Sequence, residues 1–161
     1  EGRANIIGVQ TQLFSETLRN ASWFEYYIFP KMLGMAERGW NAQPEWETMH
    51  GEKERQAFNA DLNCFYKWIA LAEMPWLTRK GINFHLMPPG ITVRDGKLFL
   101  NSRIEGATLR YTLDGSEPTT ASERWTTPVT VPANATIRAR VFYLNKESLP
   151  VSFAQTSEAD N

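Results

Sequence analysis

The sequence predicts an α+β chain, in which a strand-and-helix half is followed by an antiparallel β-sandwich. Apolar residues of the first half recur at intervals of three and four, the repeat of one helix face. Beyond Pro88-Pro89-Gly90 they alternate with polar residues, the repeat of a strand with one covered face. The paired prolines between the halves disfavour helix on either side, so the boundary is expected between Asn83 and Pro89, with domains of residues 1–83 and 84–161.

The elements follow in order. Between Ala4 and Phe14 the residues Ile6, Ile7, Val9, Leu13 and Phe14 form a dense apolar set, as in a parallel strand covered on both faces. Glu16 then places a lone carboxylate where strand turns into helix. In parallel α/β folds that end of the strands opens onto the crevice where ligands bind. Asn20 or Ser22 suits the cap of the next helix, whose apolar side is Trp23, Tyr26, Tyr27, Phe29, Leu33 and Ala36. That helix is expected to kink at Pro30 and end near Gly39. After a connector marked by Pro44 and Gly51, the residues Phe58, Leu62, Phe65, Ile69 and Ala72 predict a second long helix that stops before Pro75.

In the second half, three alternating runs predict strands: Leu98 with Leu100, Leu109 through Leu113, and Ile137 through Tyr143. Asp95-Gly96, Asp114-Gly115 and Pro132-Ala133-Asn134 are the turns between runs, and about six or seven short strands fit a sandwich.

Composition excludes several partners. A net charge of -1, from 17 basic and 18 acidic residues without a dense run of either sign, gives no footprint for nucleic acid or an acidic membrane surface. No apolar run approaches the roughly 18 residues that span a bilayer. The single cysteine, Cys64, lies in a helical apolar pattern and reads as a buried thiol. His50 and His85 lack a metal-ligand pattern, so neither metal nor cofactor is expected. Glu37-Arg38 reads as a structural ion pair and Asp114-Gly115-Ser116-Glu117 as a tight turn; Trp125, Phe142 and Tyr143 read as core or domain-contact aromatics, the alternative being sugar stacking if they lie open on one sheet face. A chain opening at Glu1 without a Met reads as part of a longer one.

The succession Gly8-Val9-Gln10, Leu13-Phe14-Ser15-Glu16, Phe29-Pro30-Lys31, Ala36 to Trp40, Trp46, Gly81-Ile82-Asn83-Phe84 and Pro88-Pro89-Gly90 resembles the C-terminal end of family 20 glycoside hydrolases, the β-N-acetylhexosaminidases. The stretch from Arg110 to Thr119, with Ile137-Arg138-Ala139-Arg140, is similar to the immunoglobulin-like C-terminal domain of their chitobiase-type members. The resemblance implies that residues 1–83 are the terminal strand and helices of a (β/α)8 barrel, and that residues 84–161 are an immunoglobulin-like β-sandwich bracing it.

It also implies the chemistry: exo-acting removal of a terminal β-linked N-acetylhexosamine, GlcNAc or GalNAc. An Asp-Glu pair after the fourth barrel strand does the work, the Glu protonating the glycosidic oxygen while the Asp orients the substrate's own acetamido nucleophile. No adjacent Asp-Glu pair occurs in these residues, so the chain is expected to hold no catalytic residue and to be inactive alone. In the family a Trp-x-Glu ends the last strand, walling the sugar and accepting its hydroxyls; Phe14 and Glu16 stand at those positions. The structural alternative places Phe14 in a core and Glu16 at the positive start of the next helix. The expected partners are the terminal sugar and the remainder of the barrel; the strand is expected to be covered either by a second copy of the chain or by the chain's own helices. The resemblance implies a periplasmic or secreted setting. A separate reading makes the sandwich a non-catalytic glycan- or protein-binding module.

Overall fold

Asn20 starts the first helix: its Oδ1 accepts the N–H of Trp23 at 3.0 Å, which satisfies one of the orphan donors of α1 (Ala21–Ile28). The structure, a computed structural model, describes residue 5 and residues 7–41 and 43–154. It divides into two units, Glu1–His85 and Leu86–Asn161.

In the first unit Pro30 ends one helix and a new one begins, α2 (Lys31–Trp40), in place of the single kinked helix expected. A proline has no N–H for the ladder, and its ring obstructs the carbonyl four residues back. A 3-10 turn, Glu45–Thr48, leads to α3 (Gly51–Trp68). Trp46 fastens that turn: its Nε1 donates to Asp61 Oδ2 at 2.9 Å, and its ring meets Phe58 edge-on at 5.1 Å.

The second long helix does not stop before Pro75. It widens into a π turn, Ile69–Glu73, and continues as α4 (Met74–Arg79). Pro75 sits in the first turn of α4, where a missing N–H costs least. The motif at the end of α4 has a clear cause. Gly81, at φ +69°, donates its N–H to Thr78 O, and Ile82 donates to Leu77 O, the paired bonds of a Schellman cap. Ile69, Ala70, Met74 and Leu77 are buried.

Two further expectations are corrected here. Cys64 is exposed. Leu62, Phe65 and Ile69 define the covered side of the helix, whereas Cys64 falls with Asp61, Trp68 and Leu71 on the exposed stripe. Residues 7–15 form no strand, and no strand occurs among the described residues of this unit. A strand needs a neighbour for its ladder, and none is present among the described residues. The segment instead lies beside α2, with Val9 Cγ2 3.7 Å from the point where a Cβ on Gly39 would stand. Ala4 and Ile6 of the expected strand lie outside the described residues.

The second unit consists of two antiparallel sheets around one apolar core. Strands β1 (Gly90–Arg94), β2 (Lys97–Asn101) and β5 (Val129–Thr130) form the first sheet, in the order β1-β2-β5. Strands β3 (Thr108–Thr112), β4 (Glu123–Arg124), β6 (Thr136–Tyr143), β7 (Lys146–Glu147) and β8 (Val151–Ala154) form the second. Its order is β4-β3-β6-β7, and β8 also pairs with β6. Asp95 and Gly96, at φ 50° and 67°, make the left-handed two-residue turn that matches the twist of the β1–β2 hairpin.

Leu98 and Leu100 from the first sheet meet Tyr111, Ile137 and Ala139 from the second in the core. Trp125 packs against it and donates Nε1 to Leu98 O at 3.2 Å, so it is a core aromatic, as expected. On the opposite face of the second sheet Arg140 stands across from Arg110, and Arg110 across from Arg124. Glu117 neutralises part of this charge, receiving Arg138 at 2.7 Å and Arg140 at 2.9 Å.

Candidate functional site

The first candidate pair sits on the segment that enters α1. Phe14 is 73% exposed, and Glu16 is exposed in the turn closed by the N–H of Leu18 donating to Ser15 O at 3.0 Å. Glu16 accepts no hydrogen bond and pairs with no cation among the described residues. Phe14 belongs to no core, and the first turn of α1 contains no acidic residue. An exposed ring and, two positions on, a carboxylate without a hydrogen-bond or ion-pair partner among the described residues can meet a ligand that has an apolar face and hydroxyl groups.

Beside this segment lies a cavity of about 280 Å³, lined by Thr11, Gln12 and Leu13 on one side and Tyr27, Lys31 and Met35 on the other. Sequence reasoning did not single out Tyr27, Lys31 or Met35 for a site. Their spacing of four, on the single helix expected from the sequence, was the signal that could have put them on a common side.

The remaining candidates are structural. Arg38 pairs with Glu47 at 2.5 Å and covers the Trp46 ring at 5.4 Å, whereas Glu37 accepts from Asn41 Nδ2 at 3.1 Å. The expected Glu37-Arg38 neighbours are thus both engaged, each with a different partner. Asp114 Oδ1 accepts the N–H of Ser116 at 2.9 Å and its hydroxyl at 2.6 Å, which makes the expected tight turn. These bonds hold the Asp114 carboxyl below its usual range. His50 precedes α3 without capping it through its side chain. The His85 ring meets the Tyr26 ring edge-on at 4.9 Å, and the His85 backbone N–H donates to Phe29 O at 2.8 Å. Burial, with the Lys31 ammonium adding to it, lowers the His85 imidazole from its ordinary value. Among the described residues no group of three or more His, Cys, Asp or Glu is placed to hold a metal, and no helix is long and apolar enough to cross a membrane.

Known proteins bear on this arrangement. Residues 1–43 match the glycosyl hydrolase family 20 catalytic domain, and residues 87–153 match the chitobiase/beta-hexosaminidase C-terminal domain. The chain is 36% identical over 118 residues to an N,N'-diacetylchitobiase of Vibrio harveyi, covering 67% of this chain and 13% of that protein. It is 30% identical over 129 residues to a beta-hexosaminidase of Vibrio vulnificus, covering 69% and 15%. A beta-hexosaminidase of Porphyromonas gingivalis is 24% identical over 148 residues, covering 91% and 18%. The chain therefore spans between 13% and 18% of the length of these curated relatives. The chain belongs to glycoside hydrolase family 20, of which it carries a stretch of the catalytic domain and the chitobiase/beta-hexosaminidase C-terminal domain.

Proposed function

We propose that the whole protein is an exo-acting β-N-acetylhexosaminidase that removes terminal β-linked GlcNAc or GalNAc with retention, using the substrate's acetamido group as nucleophile. The observation that carries this reading is the succession, in one chain, of the family 20 catalytic-domain match at residues 1–43 and the C-terminal-domain match at residues 87–153. Residues 1–83 are then the last strand and helices of a (β/α)8 barrel, and residues 84–161 an immunoglobulin-like sandwich. Barrel active sites lie at the carboxyl ends of the strands, which is where the Phe14–Glu16 segment would enter the parent site.

In that site Phe14 packs against the apolar face of the terminal pyranose and Glu16 accepts sugar hydroxyls. A carboxylate suits that task, because hydrogen bonds to an ionised acceptor are about twice as strong as neutral ones. The exposure of both side chains among the described residues supports the assignment. The acid and the acetamido-orienting carboxylate belong to parts of the protein outside these 161 residues. Losing that proton transfer alone removes roughly 10²- to 10⁴-fold in rate, so the isolated chain is inactive.

The test is kinetic. The full-length protein should hydrolyse a chromogenic β-N-acetylglucosaminide, and Glu16→Gln should lower kcat/KM roughly 10- to 100-fold at an unchanged Tm, the equivalent of about 1.5–3 kcal/mol for a charged hydrogen bond. A full-length protein without this activity would sink the function. Unchanged kinetics in the variant would remove Glu16 from the sugar pocket.

A further inference from the structure

The face of the second sheet that points away from the core carries Thr108, Arg110 and Thr112 on β3 and Arg138, Arg140 and Phe142 on β6, by the strand alternation that buries Tyr111, Ile137, Ala139 and Val141. On this face a cavity of about 590 Å³ opens between the β6–β7 hairpin and the loop carrying Thr120. Its floor is Thr108 and Phe142, which stand opposite each other in register; its walls include Thr120, Asn145 and Glu147. The volume is that of a small-ligand pocket.

The polar groups at this cavity differ from those around it. Thr112 at the end of β3 and Ser116, Thr119 and Ser122 in the loop after it all spend their side chains on internal hydrogen bonds. By contrast, the hydroxyls of Thr108 and Thr120 and the amide of Asn145 have no protein partner among the described residues. Glu147 is half committed. Its Oε1 accepts from Arg140 Nη1 at 2.8 Å, and Arg140 is held from behind by Glu117 at 2.9 Å. The second oxygen of Glu147 has no donor among the described residues, so a carboxylate is fixed in place with one oxygen open.

We propose that this cleft binds one sugar ring of a neutral oligosaccharide. A pyranose has an apolar face for the Phe142 ring and a rim of hydroxyls for Thr108, Thr120, Asn145 and the open oxygen of Glu147. The lining supplies one cation, Lys146, and one anion, Glu147, and so favours a ligand without net charge. The site needs no catalytic activity and no residue of the first unit, so it is independent of the hydrolase reading.

The experiment is an amide-shift titration of the 161-residue chain with triacetylchitotriose and, separately, with cellotriose, each to about 5 mM, several times the ~1 mM dissociation constant of a weak site. Shifts confined to Gly106, Thr108, Thr120 and residues 142–147 with either sugar support the cleft. Phe142→Ala should weaken binding about tenfold, as the loss of one stacked ring predicts, and Glu147→Gln should weaken it severalfold. Should Phe142→Ala fail to fold, Phe142→Leu keeps the apolar volume and removes the flat ring. The proposal is overturned by the absence of shifts with both sugars, by shifts elsewhere, by a response to a sulfated sugar alone, or by binding that survives Phe142→Leu and Glu147→Gln. Failure of the full-length protein to hydrolyse a hexosaminide would leave every one of these readouts in force.

Discussion

Glu25 Oε2 accepts the backbone N–H of Asn83 at 2.8 Å, across 58 positions of chain. The same asparagine donates its side-chain amide to Ser22 O at 3.0 Å and to Ser22 Oγ at 2.9 Å. The end of the first unit is thereby tied to α1 by a charge-assisted bond and a forked amide. Glu25→Ala leaves the Asn83 N–H without its acceptor and should cost about 1–3 kcal/mol, with each kcal/mol lowering Tm by roughly 2–4 °C in a chain of this size. Glu25→Gln retains an acceptor and should recover part of the loss. Thermal melts followed by circular dichroism check this; an Ala variant as stable as the Gln variant would mean the bond contributes nothing.

His85 makes stability depend on pH in a definite direction. Burial and the Lys31 charge lower its folded-state value, so above about 6.5 the imidazole is neutral in both folded and unfolded chains and the difference vanishes. As the pH falls through that value the unfolded chain takes up its proton first, and stability declines until the folded imidazole also protonates. Tm should therefore fall between pH 7 and pH 5 more steeply in the wild type than in His85→Gln. Parallel profiles would show that His85 does not titrate differently on folding. The half-exposed position of the ring keeps the effect small.

The legible parts of this fold are those where one neighbour decides the structure. The alternation of Ile137, Ala139, Val141 and Tyr143 marks β6, because one face of that strand meets the core and the other does not. Asn20 is readable as a cap for the same local reason. By contrast, β4, β5 and β7 are two residues each, too short for any period, and exist only because longer strands offer an edge. The run from Val9 to Phe14 has strand composition, yet a ladder requires a partner, and none occurs among the described residues. Pro75 reads as a stop, but a π turn carries the helix to it and places it in a first turn. Glu16 entered as a candidate through its place where strand turns into helix, whereas Phe14 and the sugar-binding role of both entered through resemblance.

Cys64 offers a direct check of the exposed stripe on α3. A thiol on the solvent side should react with a chromogenic disulfide reagent in the native chain, to one equivalent and without a lag for unfolding. A buried thiol would react only as fast as the helix opens. Mild denaturant that accelerates labelling many-fold would restore the buried reading and contradict the helix orientation.

Gly81 gives the cleanest measure of backbone cost. It holds φ +69° at the end of α4, and a Cβ added there meets nothing within 4 Å, so a substitution changes conformational preference without a clash. An L residue in the left-handed region costs about 1–2 kcal/mol, and asparagine tolerates that region better than alanine because its side chain can bond locally. Gly81→Ala should therefore lower stability by about 1 kcal/mol and Gly81→Asn by less. Gly8→Ala is the control: Gly8 is also open on all sides but has no positive φ, and replacing it should be neutral or slightly stabilising through the unfolded chain. Denaturant melts of the three variants separate the possibilities. Equal costs for Ala and Asn at position 81 would show that the loss comes from something other than the left-handed backbone. Equal stability of all three would show that the paired bonds from Gly81 and Ile82 to Thr78 and Leu77 do not depend on the glycine at all.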